Sequence, residues 1–212
     1  MSLEIRGLLK NSSYKKEKKI LVITGNDKIS NYLINDLNLL EKNIKIIRDK
    51  SLNTKKILRL FFKSKTLTFK FLLNTIFSEL LRENIKVPEI KSFQNKQELS
   101  NLLLQFKPDL IAVFRASYIF PRDVVKDYEI INFHCSDITN ELYKGLGSIY
   151  KSYILKEPSP KVSVHRIIPE IDSGDILFQE EYFFDFDKGY AHNENLAFRS
   201  GIDTLVSFIK DF

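Results

Sequence analysis

Apolar positions along the chain alternate between two rhythms. Residues 19–24 (Lys-Ile-Leu-Val-Ile-Thr) are a short apolar run ending at Gly25-Asn26, the pattern of a strand buried on both faces. Apolar side chains then recur every three or four positions across 29–40, which predicts an amphipathic helix, and 43–48 reads as a second strand. This β-α-β opening predicts a parallel sheet. Residues 55–82 read as a long helical region with a break near 64–66, in which Phe69, Leu72, Leu73, Ile76 and Leu80 form a stripe suited to core packing. A helix over 94–106 leads through Pro108-Asp109 into a strand at 110–113, followed by an apolar loop at 114–121. Further strands are predicted at 129–131, 162–168 and 175–184, with helices at 147–155 and 191–212. The order predicts an α/β, Rossmann-like fold, a mostly parallel sheet flanked by helices.

Composition adds bounds. With 212 residues and 43% hydrophobic content, the chain can bury a core as one domain over 18–212. Residues 1–17 carry Lys10, Lys15 and Lys16 without a continuous apolar stretch, and are expected to be a mobile basic arm. The most apolar long stretch, 57–81, is broken by Lys63, Lys65 and Lys70 and is unsuited to a membrane span. One cysteine allows no internal disulfide and fits a reducing compartment, so a cytoplasmic protein is expected. Gly25 lacks the other glycines of a dinucleotide fingerprint, so neither NAD nor FAD is expected.

Charge is uneven. The first seventy residues hold 17 Lys and Arg against 6 Asp and Glu, a balance of +11, leaving −5 for the rest of a chain whose total is +6. Such a basic third suits an anionic partner, a nucleotide or RNA among them, and is equally what a lysine-rich solvated surface looks like.

The candidate chemistry lies between 131 and 177. In a strand, alternate side chains share a face, so Asn132 and His134 of Ile-Asn-Phe-His project together while Phe133 and Cys135 point away. They stand at the carboxyl end of a core strand, where open α/β sheets keep ligand crevices. The tight turn after the 162–168 strand carries Asp172 and Asp175, either of which could orient the imidazole. A nucleophilic dyad of Cys135 and His134 is disfavoured because adjacent strand residues face apart. A zinc site from His134, Cys135, His165 and Asp172 lacks ligand spacing.

Asn-x-His at 132–134, Lys-Gly at 144–145, and Val-x-Val-His followed by Ile-Asp-x-Gly-x-Ile-Leu at 162–177 resemble the formyltransferases that use 10-formyltetrahydrofolate. The resemblance implies the formyltransferase fold and places the catalytic trio on Asn132, His134 and Asp172. It implies a folate pocket at Ser117, Tyr118, Ile119 and Phe120, with Asp172 adjoining, and acceptor contacts from Arg115, Tyr143, Lys144 and Gly145. His165 matches a further family position, at which a structural hydrogen bond is expected. The chain departs from the family where Cys135 and residues 137–140 replace prolines, which bears on the acceptor loop.

The short length, the Tyr143-Lys144-Gly145 loop and the helical insert after Lys55 look most like bacterial nucleotide-sugar N-formyltransferases. The resemblance then implies folate and a nucleotide-linked amino-dideoxy sugar, dTDP- or UDP-linked, as partners in surface polysaccharide synthesis. It implies no metal, no nucleic acid and no membrane span, and is compatible with a homodimer. No residues after Phe212 supply the extra carboxyl-terminal domain of methionyl-tRNA formyltransferases, so another member is expected. The alternatives are a glycinamide ribonucleotide formyltransferase and a catalytically inactive, basic nucleic-acid-binding relative.

Overall fold

The structure, a computed structural model, describes residues 18–40, 42–52, 69–170 and 172–212. The expected arm at 1–17, and the part of the expected helical region at 55–68 with its break, lie outside the described residues. Strands β1 (Ile20–Thr24), β2 (Ile44–Asp49), β3 (Ser92–Phe93), β4 (Leu110–Phe114), β5 (Ile130–His134), β6 (Lys161–Arg166) and β7 (Ile176–Glu181) form one sheet in the order 3-2-1-4-5-6-7. Pairings from β3 through β5 are parallel, whereas β5–β6 and β6–β7 are antiparallel. Helices α1 (Lys28–Leu37), α2 (Phe69–Leu81), α3 (Lys96–Phe106), α4 (Arg122–Asp127), α5 (Ser148–Ile154) and α6 (Tyr190–Asp211) flank it.

The unbroken apolar runs follow from burial on both faces. From β1, Ile20 and Val22 join the core that contains α1 and α6, while Leu21 and Ile23 face the opposite core with Leu99 and Leu103 of α3. Chain order turns outward in opposite directions at β1 and β4. In a sheet of this kind that switch point opens a crevice at the carboxyl ends of the strands. The 22-residue helix α6 lies close over the sheet because Gly201 has no side chain: a Cβ there would sit 2.5 Å from Cys135 Sγ and 2.8 Å from Phe114 Cε2.

The apolar stripe of α2 does not pack as expected. Phe69 is 67% and Leu80 72% exposed, and Leu73 and Ile76 are also exposed. The buried face is instead Phe71, Ser78 and, just past the helix, Arg82. Arg82 decides the orientation, because its guanidinium is buried against Glu194 of α6 and donates to Asn195 Oδ1 at 2.6 Å and Glu79 Oε2 at 2.9 Å. A charge buried in this way is costly to leave without its partners, so the face bearing Arg82 stays turned toward α6. Among the described residues, no helix is long and apolar enough to cross a membrane.

Candidate active site

Strand alternation places Asn132 and His134 half-buried on one side of β5, with Ile131, Phe133 and Cys135 buried on the other. The antiparallel register sets Asn132 opposite His165 and His134 opposite Ser163. Asn132 Nδ2 lies 3.1 Å from His165 Nε2, and His165 Nδ1 lies 3.0 Å from the Arg166 carbonyl. A carbonyl only accepts, so the His165 proton sits on Nδ1 and Nε2 accepts from the Asn132 amide. Burial depresses the His165 pKa. The Arg166 carbonyl and Asp172 oppose that effect, His134 and Lys144 add to it, and the balance keeps the ring neutral near pH 7. One Asn132 N–H is thereby committed and the other remains for a ligand.

Asp172 sits in the left-handed backbone region, φ 48°, in the turn between β6 and β7. The turn presses onto the end of β6 so closely that a Cβ on Gly174 would lie 1.8 Å from the Arg166 carbonyl oxygen. Asp172 Oδ2 accepts from the Gly145 amide at 2.9 Å, and Oδ1 stands 3.8 Å from His165 Nε2, beyond hydrogen-bond range. The carboxylate expected beside His134 therefore meets His165, because antiparallel pairing brings that residue alongside Asn132. His134 Nε2 faces the Tyr143 carbonyl at a long 3.4 Å.

A cavity of about 490 Å³ collects these groups at the carboxyl ends of β1, β4 and β5. Asn132, His134, His165 and Asp172 line it, and Asp175 does not. Ser117, Tyr118, Ile119 and Phe120 all line it. Their loop is held by Asp49 at the end of β2, whose Oδ2 accepts from Ser117 N at 2.6 Å and from Ser117 Oγ at 2.9 Å. Tyr118 packs edge-on against Phe93 and Phe120. The size and largely apolar walls suit a flat heterocyclic ligand held by a few polar groups.

The residues expected to meet the acceptor divide. Gly145 lines the cavity, whereas Tyr143 and Lys144 do not. Tyr143 is buried with its hydroxyl on Glu157 Oε2 at 2.8 Å, and Lys144 Nζ reaches Glu141 at 2.6 Å. Arg115 lines the cavity with a left-handed φ of 59°. Its Nη2 donates to Asp27 Oδ2 at 2.7 Å, and its guanidinium lies 4.0 Å from the centre of the Phe198 ring.

Sequence reasoning missed Asp27, Asp49, Tyr190 and Glu194. Asp27 carried a readable signal as an N-cap, accepting from Ser30 N at 2.8 Å. Burial pushes its carboxyl up, but the charge and hydrogen bonds of Arg115, with help from Ser30, hold it below the ordinary 3.8. Asp49 and Glu194 act across long sequence separations, on Ser117 and Arg82, and Tyr190 donates to Glu194 one helical turn further on at 2.8 Å.

Compared with descriptions of known protein families, the chain matches none. Against characterised proteins it is similar to the methionyl-tRNA formyltransferase of Helicobacter acinonychis, 27% identical over 136 residues, or 63% of this chain and 43% of that protein. The Helicobacter pylori (strain HPAG1) protein is 29% identical over 137 residues with the same coverage. The chain thus spans less than half the length of these relatives. Among solved structures, a 4-N formyltransferase from Francisella tularensis superposes with TM-score 0.60 and 22% identity, covering 92% of this chain and 69% of that one. Phosphoribosylglycinamide formyltransferase from Anaplasma phagocytophilum gives TM-score 0.63 and 16% identity, covering 92% and 86%. A sugar N-formyltransferase from a Shewanella species gives 0.60 and 16%, covering 91% and 69%.

The fold is therefore that of the formyltransferases. The likeness in sequence covers 63% of the chain, and the likeness in fold covers 92% of it.

Proposed function

We propose that this protein transfers a formyl group from 10-formyltetrahydrofolate to the amine of a nucleotide-linked amino-dideoxy sugar. The observation that carries the reading is the Asn132 amide, aimed by a neutral His165 into a cavity shared with His134 and Asp172. When an amine attacks the formyl carbon, negative charge gathers on the formyl oxygen. The free N–H of Asn132 is a preorganised donor for it. His134, on the same strand face, supplies a second polar group to the oxyanion or the departing proton. The amine proton leaves toward Asp172, directly or through water, and the C–N10 bond breaks as folate nitrogen N10 takes up a proton. The loop at 117–120, pinned by Asp49, forms the wall against which the pterin would lie.

The sugar acceptor is supported by resemblance in fold to sugar N-formyltransferases. The phosphoribosylglycinamide enzyme is a comparable neighbour, so glycinamide ribonucleotide is the second acceptor to try. Incubation with 10-formyltetrahydrofolate and dTDP- or UDP-linked 4-amino-4,6-dideoxyhexoses should release tetrahydrofolate and a formylated sugar with at least one of them. Turnover with glycinamide ribonucleotide alone would replace the sugar assignment, and no folate turnover with any amine would reject formyl transfer.

A further inference from the structure

The cavity is lined by more carboxylates than cationic side chains, and two of the carboxylates, Asp27 and Glu194, are held in ion pairs by Arg115 and Arg82. Among the described residues lining it are four carboxylates, Asp27, Glu170, Asp172 and Glu194, and a single cationic side chain, Arg115. That one guanidinium is already engaged: Nε and Nη2 both donate to Asp27 Oδ2, at 3.0 and 2.7 Å, and the group is stacked on Phe198. The neighbouring cations are committed too. Arg48 donates to the Gly25 carbonyl at 3.2 Å and Asn31 Oδ1 at 2.6 Å, Arg82 pairs with Glu194 and Glu79, and Lys28 Nζ donates to the carbonyls of Glu79 and Arg82.

This half of the cavity adjoins the start of α1, where backbone N–H groups and the helix dipole favour an anion. The anion present belongs to the protein. Asp27 Oδ1 accepts from Ser30 N at 2.8 Å and from Ser30 Oγ at 2.9 Å, while Oδ2 holds Arg115. Asp27 and Arg115 side chains are each about a quarter exposed, 25% and 24%, and both line the cavity, so their pair is a wall a ligand would touch.

We infer that Asp27 sets acceptor selectivity by excluding anions: on the β1 side the cavity accepts an uncharged, hydroxyl-bearing or cationic part of the acceptor, and a phosphate or diphosphate stays outside. The inference rests on reading this cavity as the formyl-transfer site. It adds that a ligand entering amine first must carry its phosphates at the far end. β1, which leads into Asp27, and β5, which carries Asn132, stand two apart in the sheet, a lateral spacing of roughly 10 Å.

The test uses inorganic phosphate as the probe and calorimetry as the readout, with no turnover required. Asp27→Asn keeps an N-cap-forming side chain while removing the charge and releasing Arg115. Asp27→Ser serves if the asparagine variant fails to fold, as judged by circular dichroism. The wild-type protein should show no saturable phosphate binding. The neutral variant should gain at least about tenfold in association constant, because like-charge juxtaposition in a binding site is strongly unfavourable. The gain should vanish when Arg115→Gln is added. Phosphate binding by the wild type that Arg115→Gln abolishes would overturn the inference, as would a neutral variant that binds no better than wild type. Since binding is read without catalysis, loss of the formyl-transfer assignment and loss of this inference are separable.

Discussion

At the scale of single residues, the site depends on one proton. His165 orients Asn132 only while its Nε2 lone pair is free, and the lowered pKa keeps it so. The folded value lies below the ordinary 6.5, so the fold prefers the neutral ring. This contribution to stability is complete above pH 6.5, shrinks as pH falls below it, and is wholly lost below the lowered folded value. Protonation also turns Nε2 into a donor facing the Asn132 N–H. We therefore expect an acidic limb in kcat below pH 6.5, matched by the His165 ring titration in NMR. A His165 ring that titrates above 6.5 would contradict the assignment. That Asn132 and His134 share a face was legible from period-two alternation, while their catalytic reading came mostly from the family resemblance. The partner of Asp172 was not, because choosing between His134 and His165 requires the register of a strand thirty-odd positions away.

At the scale of elements, the Asp172 turn is positioned by close contact with β6, where the Arg166 N–H donates to the Asp175 carbonyl at 3.0 Å. Gly174→Ala places a Cβ against backbone, 1.8 Å from the Arg166 oxygen and 2.8 Å from its carbon, and neither atom can rotate aside. The turn must move and carry Asp172 off Gly145. A misplacement near 1 Å can cost about 100-fold in rate, so kcat should fall by about that factor, and overpacking should cost about 1–3 kcal/mol in denaturant melts. An unchanged kcat would show that the rate does not depend on where the turn holds Asp172. Long elements such as α3 and α6, and the buried strands, were readable because burial imposes a period. The six-residue α4 is too short to display one, and the two-residue β3 exists only through pairing with β2. The orientation of α2 was misread because the face bearing the buried Arg82 turns toward α6 and leaves most of the apolar stripe exposed.

At the scale of the whole molecule, α2 and α6 are joined by the buried Arg82 and Glu194 pair, which also borders the cavity through Glu194 and its partner Tyr190. Arg82→Met leaves Glu194 charged and buried without its guanidinium, at a cost of about 3–5 kcal/mol. Chemical denaturation of the two proteins side by side measures it, and a loss below about 1 kcal/mol would mean the carboxylate finds water. The sheet and the switch-point cavity gather four carboxylates and one cationic side chain, Arg115, among the described lining residues. Composition could not show this, since only the fold sorts which charges face inward.

The central claim is that Asn132 stabilises the oxyanion of a formyl transfer. Single-turnover transfer of labelled formyl from 10-formyltetrahydrofolate to an amino-sugar nucleotide, run with folate-binding calorimetry on wild type and Asn132→Ala, tests it most directly. The account predicts unchanged folate affinity and a transfer rate about 100- to 1000-fold lower in the variant. Equal transfer rates in the two proteins, or a variant whose only defect is weaker folate binding, would contradict it.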